Sequence, residues 1–380
     1  MEPVGLYIHV PFCDGKCPYC DFFSLRGSEK TMDEYTECIV RELKKYKKEY
    51  PALQADTLYF GGGTPSLLGA RRLCRILTVA KEAFGLENAE ITLEANPDKS
   101  LKELFGQVRQ AGVNRISLGL QSADERELHT LGRQHTAQQA AQAVADARDA
   151  GIAKVSLDLM LAVPGQTRQS LRNSIRFCLE AGVTHLSAYL LRVEEHTAFW
   201  QQRQSLCLPD EEESARLYES ACAQLEAGGL RQYEISNFAV PGCESRHNLK
   251  YWNLQPYLGF GPAAHSYFLG RRFYRTRSLR AFLNGEEPLP ETDEEIPAGS
   301  FTEYAMLRLR LTEGLTEAGC RARFGSGIPE EVRRAARRYE AAGLTRTGPA
   351  GIQLTTQGFL VSSALLAELL FSDGNGQELA

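Results

Sequence analysis

The sequence predicts an α/β fold in which a partial barrel of six βα units is followed by a small helical domain. Up to about Gln232, short apolar runs alternate with longer amphipathic ones, which is typical of parallel strands joined by crossover helices. One pattern recurs in "QAGVNRISLGL", "DAGIAKVSLDL" and "EAGVTHLSAYL": a helix end, Ala-Gly, a short link, and a strand whose second residue is Ser. Beyond Gln232 the alternation stops.

The barrel units follow one another along the chain. The predicted strands are "GLYIHV", "DTLYFGGG", "EITLEANP", "RISLGLQS", "KVSLDLMLAVPG" and "HLSAYLLRV". Helical patterns cover 32–50, 66–84, 100–111, a stretch ending at Ala150, and 167–181. Gly112, Gly151 and Gly182 fit left-handed helix caps, where a side chain would clash. Six units are fewer than the eight of a closed barrel, so we prefer a partial barrel to a doubly wound sheet.

Three segments are predicted: the barrel over 1–235, an irregular connecting segment over 236–297, and a C-terminal domain over 298–380. In the last, helical patterns precede two short strands, "LTRTG" and "GIQLT", an order that resembles a winged-helix module. Such modules often bind DNA. The segment is not obviously basic beyond the cluster of Arg333, Arg334, Arg337 and Arg338, so we expect a structural cap and no nucleic-acid partner.

Composition excludes several classes of protein. The net charge of −5 argues against a broad basic face. No apolar run approaches the roughly 20 residues that span a bilayer, and the N-terminus lacks the regions of a signal peptide. The ten cysteines are clustered once and otherwise scattered, which indicates a reducing compartment. We expect a cytoplasmic protein with no transmembrane segment, for which peripheral membrane contact stays open.

The cluster "CDGKCPYC" places Cys13, Cys17 and Cys20 directly after the first strand, at the end where barrel active sites form. A zinc site would want a fourth ligand, for which His9 is nearest. A Cys17–Cys20 redox pair would leave Cys13 unexplained, and small buried cysteines would not sit among loop residues. Closely spaced thiolates also hold iron–sulfur clusters, normally four of them. Three thiolates on a four-iron cluster would leave one iron open to another ligand.

Polar residues recur where later strands end. "FGGGTPS" contains Gly62, Gly63 and Thr64, and glycines let backbone N–H groups approach a ligand. Glu94 and Gln121 end the third and fourth strands, and Arg133 in "LGRQHT" and Asp158 in "SLDLM" complete a polar set. Polar groups within apolar runs are costly unless partnered. Their recurrence on successive units predicts a site.

The spacing C-x3-C-x2-C resembles the signature of radical S-adenosylmethionine (SAM) enzymes, in which SAM binds the open iron and is cleaved to a 5′-deoxyadenosyl radical. Over essentially the whole chain the sequence resembles the oxygen-independent coproporphyrinogen III oxidase family and, within it, the HemW-type heme chaperones. The resemblance implies a [4Fe–4S] cluster on the three cysteines and SAM contacts at Tyr7, Gly62 and Glu94. It also implies a second cofactor position at Tyr19, Gly63, Thr64, Gln121, Arg133 and Asp158.

Three features favour the chaperone branch. The oxidase pattern adds a fourth cysteine where this chain has Phe22, and the oxidase carries an N-terminal extension before its first strand. "RHNLKYW" matches the H-N-x-x-Y-W motif of the chaperones, which implies heme contact at His247, with His265 as a second candidate. Heme and acceptor hemoproteins, respiratory ones among them, are then the expected partners. Coproporphyrinogen III oxidation and a DNA-binding regulator are the alternatives.

One stretch departs from the family pattern. Relatives usually carry an aromatic residue and Gly where "LAVPGQT" has Leu161 and Ala162. We therefore expect an altered wall near Asp158.

Overall fold

The centre of the molecule is a curved layer of six parallel strands. The computed structural model describes residues 2–97, 101–293 and 295–371, so residue 100 of the predicted third helix and residues 372–380 of the predicted C-terminal domain lie outside the described residues. The strands are β1 (Val4–Val10), β2 (Ala55–Gly62), β3 (Glu90–Ala95), β4 (Arg115–Gln121), β5 (Lys154–Leu161) and β6 (His185–Leu190). Each pairs in parallel with the next. This confirms the predicted α/β partial barrel.

Helices alternate with these strands and bury their apolar sides against one face of the sheet. They are α1 (Glu29–Glu49), α2 (Gly69–Phe84), α3 (Lys102–Ala111), α4 (Glu125–Thr130), α5 (Ala137–Asp149), α6 (Arg168–Glu180), α7 (Ala198–Gln202) and α8 (Glu211–Ala227). Capping boxes at Thr136 and Thr167 begin α5 and α6, satisfying backbone donors that a helix start leaves open. Gly112, Gly151 and Gly182 have positive φ, which confirms their predicted conformation.

The other face of the sheet, which we call the lumen face, follows from the pleat. Successive strand residues point to opposite sides, and residues paired across strands share a side. Tyr7 pairs with Tyr59, Glu94 with Ser117, and Asp158 lies in register with Ser187. Leu6, Ile8 and their counterparts fill the helix-packed core instead. Polar and aromatic side chains therefore collect on the lumen face.

The segment predicted to be irregular, 236–297, contains regular structure, and that prediction was wrong. Its elements and the strand before it are β7 (Arg231–Gln232), β8 (Asn237–Ala239), α9 (Arg246–Trp252), β9 (Tyr257–Phe260), β10 (His265–Phe268), β11 (Arg271–Tyr274), α10 (Leu279–Leu283) and β12 (Leu289–Glu291). β9 pairs in parallel with β1, β10 to β12 continue the sheet antiparallel, and β8 pairs with β6. Strands of two to four residues are too short to show a period-two pattern.

The C-terminal part consists of short helices around a small sheet. Its elements are α11 (Phe301–Arg308), β13 (Leu315–Thr316), α12 (Glu317–Phe324), α13 (Glu330–Arg338), β14 (Thr345–Gly348), β15 (Gly351–Leu354), α14 (Thr356–Leu360) and α15 (Ser362–Leu370). The strands order as β13-β15-β14, and β14 and β15 form the antiparallel pair expected from the sequence. The winged-helix assignment and the domain boundaries stay predictions. Within the described ranges no helix is long and apolar enough to cross a membrane.

Candidate functional site

The cysteine loop after β1 is held from several sides. The Cys13 N–H donates to the Leu25 carbonyl at 3.0 Å, and the Leu25 N–H donates to the Pro11 carbonyl at 2.8 Å. From α7, the Phe199 N–H donates to the Pro18 carbonyl at 2.9 Å. The loop thereby presents all three thiols to one cavity of about 550 Å³ on the lumen face, which we call the lumen cavity.

The thiols fit a cluster better than a single ion. Among the described residues, no three His, Cys, Asp or Glu side chains converge closely enough to hold one metal ion. A four-iron cluster binds each thiolate through a different iron, so the thiols need only border one space. The Cys13 Sγ lies 3.2 Å from the Thr64 hydroxyl, and the Arg133 guanidinium donates to the Cys17 Sγ at 3.7 Å.

The glycine run packs against the cysteine loop. A Cβ on Gly63 would lie 2.6 Å from the Phe12 carbonyl oxygen, so only glycine permits this approach. The Gly63 N–H donates to the Val10 carbonyl at 2.8 Å, and the Thr64 N–H donates to Phe12 at 2.7 Å. The Gly62 N–H donates to Glu94 at 3.3 Å. These N–H groups therefore bind the cysteine loop and Glu94 in this structure, and the expected ligand contact at the glycine run stays a prediction.

Two buried carboxyl groups lie on the lumen face. Glu94 accepts hydrogen bonds from the Tyr59 hydroxyl at 2.8 Å and from the Gly62 N–H, yet burial raises the pKa of Glu94 to about 7. Asp158 accepts from the Ser117 hydroxyl at 3.2 Å, and burial raises the pKa of Asp158 to about 6. Both groups favour a cationic neighbour, because desolvation penalises their charge.

A polar chain links Arg133 to the glycine run. The Arg133 guanidinium donates to the Asn96 side-chain oxygen at 2.7 Å and to the Gly119 carbonyl at 2.8 Å. The Asn96 amide donates in turn to the Thr64 hydroxyl at 3.1 Å. Sequence reasoning missed Asn96, although it stands two residues after Glu94 in "LEANP".

The barrel units share a recurring serine, for which the sequence pattern alone predicted no role. Ser117, Ser156 and Ser187 all line the lumen cavity. Ser117 and Ser187 bind Asp158, and Ser156 binds the buried His185 at 2.7 Å. Their shared place in the repeat was the available signal.

The structure brings most of the predicted site residues together. Those lining the lumen cavity are Cys13, Cys17, Tyr19, Cys20, Gly62, Gly63, Thr64, Glu94, Gln121, Arg133 and Asp158. Tyr7 lines a neighbouring cavity instead, where its hydroxyl lies 3.2 Å from the His9 Nδ1. His247 lines neither of these cavities.

His247 sits on α9, which closes the amino end of the lumen. Its side chain is buried, with 1% of the residue exposed, and burial lowers the pKa of His247 to about 3. Its Nδ1 lies 2.8 Å from the Thr57 hydroxyl, and its Nε2 lies 2.8 Å from the Tyr251 hydroxyl. Both nitrogens are therefore engaged in this structure, and the expected heme contact at His247 stays a prediction.

Comparison with known proteins places the chain in a family. The profile described as Radical SAM superfamily matches residues 7–178. The protein named heme chaperone HemW of Mycobacterium tuberculosis (strain ATCC 25618 / H37Rv) is 36% identical over 379 residues, covering 97% of this chain and 95% of the relative. The chain belongs to the HemW family of radical SAM proteins. HemW of Bacillus subtilis (strain 168) is 32% identical over 372 residues, covering 96% of this chain and 98% of that relative.

A solved structure supports the architecture of this HemW-family chain. Coproporphyrinogen III oxidase (HemN) from Escherichia coli, described as a radical SAM enzyme, superimposes with a TM-score of 0.82. The match covers 97% of this chain and 90% of that one at 19% identity, so it shows the fold alone. Membership of the radical SAM superfamily implies a [4Fe–4S] cluster and SAM. The three thiols on one cavity, beside two buried carboxyl groups, fit those groups.

Proposed function

We propose that this chain is a heme chaperone that binds heme and delivers it to acceptor hemoproteins. The observation that carries the proposal is the 36% identity to a heme chaperone over 97% of the chain. Phe22 agrees with it, since this residue stands where the oxidase pattern has a fourth cysteine. Respiratory hemoproteins are the acceptors we infer, reached from the cytoplasm, by peripheral membrane contact where the acceptor is membrane-bound. We infer no nucleic-acid role, because Arg333 and Arg337 pair with Glu317 and Glu330.

The lumen cavity would hold the cofactors of this function. Cys13, Cys17 and Cys20 would ligate a [4Fe–4S] cluster, and bound SAM would supply the radical chemistry of the superfamily. Tyr7, Gly62 and Glu94 are proposed to contact SAM, whose ammonium and sulfonium charges complement buried carboxylates. Of these, Tyr7 would contribute from the border of the cavity, since its ring centroid lies 6.2 Å from that of Tyr59. A second SAM position would use Tyr19, Gly63, Thr64, Gln121, Arg133 and Asp158.

The oxidase is the second candidate function, because the sequence resembles the oxygen-independent coproporphyrinogen III oxidase family over essentially the whole chain. One experiment separates the two. Anaerobically reconstituted protein is incubated with coproporphyrinogen III, SAM and a reductant, and the porphyrins are resolved by mass. A parallel sample loaded with heme is mixed with an apo-hemoprotein, and heme transfer is followed by absorbance.

We expect unchanged coproporphyrinogen III and transfer of heme to the acceptor. Loss of two propionate carboxyl groups as carbon dioxide would identify an oxidase. Absence of heme binding by protein with an intact cluster would remove the chaperone proposal. The Cys13→Ala variant serves as the control for cluster-dependent turnover.

A further inference from the structure

A second cavity adjoins the lumen cavity, and the proposed function has not used it. It measures about 630 Å³, within the range of roughly 300–1,000 Å³ typical of cofactor sites. Its lining is mostly aromatic: Tyr7, Phe22, Phe23, Tyr251, Tyr257 and Tyr274. We call it the aromatic cleft. Phe22 and Asp21 line both cavities, so the end of the cysteine loop forms the wall between them.

The aromatic cleft is built by strands that pair across a long sequence distance. Tyr7 pairs with Gly259 of β9, Tyr257 with Tyr267 of β10, and His265 with Tyr274 of β11. Paired residues share a face, so these rings stand on the lumen face. A Cβ on Gly259 would lie 2.2 Å from the His265 carbonyl oxygen. This glycine therefore lets β10 lie close to β9 and bring His265 to the cleft.

His265 differs from the other histidines of the lumen face. Its side chain is 53% exposed, and its Nδ1 lies 3.1 Å from the Glu291 carboxylate. An ionised carboxylate only accepts hydrogen bonds, so this contact holds the proton on Nδ1. The described residues give Nε2 no hydrogen-bond partner. A carboxylate on the other ring nitrogen is the usual support of a metal-ligating histidine.

The competing histidines lack this arrangement. In His9, Nδ1 contacts the Tyr7 hydroxyl and Nε2 lies 3.0 Å from the Phe23 carbonyl. In His247 both nitrogens also have partners. His265 alone of these three offers an iron ligand without losing a hydrogen bond.

The cationic side chain of Arg277 lies in the aromatic cleft next to the cysteine loop. Arg277 pairs with the Asp21 carboxylate at 3.2 Å, and the two side chains are 56% and 48% exposed. Exposed pairs of this kind contribute at most about 1 kcal/mol. A propionate can therefore replace Asp21 as the partner of Arg277 at little cost.

We propose that iron porphyrin binds in the aromatic cleft, with Nε2 of His265 on the iron and Arg277 on a propionate. This inference rests on the proposed function, because it specifies where the heme of that function lies. His247 then acts as a positioning residue, since it holds the Tyr251 hydroxyl at the floor of the cleft. The aromatic rings cover the porphyrin faces.

The test is titration of the full chain, with its cluster reconstituted, by ferric heme under anaerobic conditions. Absorbance and resonance Raman spectra report affinity and the iron–histidine bond. We compare wild type with H265A, R277Q, H247A and H129A. His129 is an exposed histidine on α4, outside both cavities, and is the matched control.

H265A should lose the iron–histidine signature and bind heme at least tenfold more weakly, and free imidazole should restore the signature. R277Q should weaken binding several-fold without altering the ligand spectrum, and H129A should match wild type. Retention of the histidine signature in H265A, with its loss in H247A, would overturn the inference and leave the chaperone proposal intact. Absence of heme binding by the wild type would remove the chaperone proposal itself.

Discussion

The two cavities of the lumen face were built by different kinds of pairing. The lumen cavity lies over β2 to β6, whose strands follow one another in sequence and pair in the same order. The aromatic cleft lies where β9 to β11, more than 240 residues later, join β1. One sheet thus carries a site assembled from successive units beside another that depends on a distant segment.

The chemistry of the two cavities differs as their construction does. The lumen cavity holds thiols, hydroxyls and the buried carboxyl groups of Glu94 and Asp158. The aromatic cleft holds rings and one carboxylate-braced histidine. The first suits a cluster and a cationic cofactor, and the second suits a flat apolar ring system. This difference indicates that the cavities on the two sides of β1 suit different groups. The cysteine loop forms the wall that they share.

Removing the cluster ligands should produce the largest difference between the two cavities. The C13A, C17A and C20A variants should each lose the brown chromophore of the anaerobically reconstituted protein, because three thiolates are the minimum that holds the cluster. Heme affinity, in contrast, should change less than threefold, since none of these cysteines lines the aromatic cleft. Iron and sulfide analysis with heme titration checks both statements.

C207A is the control for this series, because Cys207 is exposed and lies outside both cavities. Unchanged iron content in the three variants would contradict the cluster assignment. Equal loss of heme and cluster would show that the two cavities do not function separately.

Substitutions beneath the two cavities should lower the free energy of unfolding by different amounts. Arg115 and Glu90 form a buried pair at 3.6 Å, with 3% and 2% of their side chains exposed. R115M leaves Glu90 with Lys154, 3.7 Å away, as its remaining ionic partner, so we expect the free energy of unfolding to fall by about 3 kcal/mol. Y251F removes one hydrogen bond to His247 and should cost about 1 kcal/mol. Urea unfolding of the cluster-free protein measures both.

The double variant E90Q/R115M should recover part of the loss, because it removes the buried carboxylate charge that R115M leaves without its arginine. If Y251F lowered the free energy of unfolding more than R115M did, the prediction would be wrong. The more important polar contact would then lie beneath the aromatic cleft.

Sequence reasoning predicted the lumen cavity because its signals are local. Cys13, Cys17 and Cys20 lie within one loop, and Glu94 and Asp158 lie on strands whose parallel pairing brings their side chains to the same face of the sheet. Asn96 and Tyr59 escaped notice, since their roles depend on rotamers that no spacing reveals. The fold class followed from the same local repeats.

The aromatic cleft could not be predicted in this way. β9 to β11 have four residues each, and their pairing with β1 is a long-range event. "HNLKYW" was assigned to heme from a motif, but the structure places it on α9, at the amino end of the lumen. His265 has the exposed nitrogen that His247 lacks, and its Glu291 partner lies 26 residues further along the chain.

The response of stability to pH should separate Glu94 from His247 by sign. Since the pKa of Glu94 is raised to about 7, the folded protein binds more protons than the unfolded chain between about pH 4.5 and 7. The stability contributed by its protonated form is lost as pH rises through that window, by about 3 kcal/mol. His247, with its pKa lowered to about 3, acts oppositely: its contribution is lost as pH falls from about 6.5 toward 3.

Urea unfolding of the cluster-free protein from pH 5 to 7.5 tests this contrast. E94Q should remove the Glu94 part of the descending slope, so that its stability rises more steeply with pH than that of wild type; burial also raises the pKa of Asp158 to about 6 and the pKa of Glu234 to about 7, and these two groups keep the rest. H247N should remove only the His247 part of the ascending slope, because burial also lowers the pKa of His135 and His185. Parallel profiles for wild type and E94Q would mean that Glu94 is already ionised in the folded protein.

The smallest expected effect concerns two alanines, one directly after β5 and one in the lining of the aromatic cleft. Ala162, in the stretch that departs from the family's usual glycine, has φ 58°, and Ala263, which lines the aromatic cleft, has φ 62°. This left-handed conformation costs a side-chain-bearing residue about 1–2 kcal/mol, whereas glycine adopts it without strain. A162G and A263G should therefore raise the free energy of unfolding by up to about 1 kcal/mol. A263G should gain more stability than A162G, because A162G removes a methyl group that is buried.

The control is Ala143, a buried alanine in the middle of α5. A143G should lower the free energy of unfolding by about 1 kcal/mol, since glycine is a poor helix former. If A162G and A263G fall with A143G, packing of the methyl group outweighs backbone strain at both cavities.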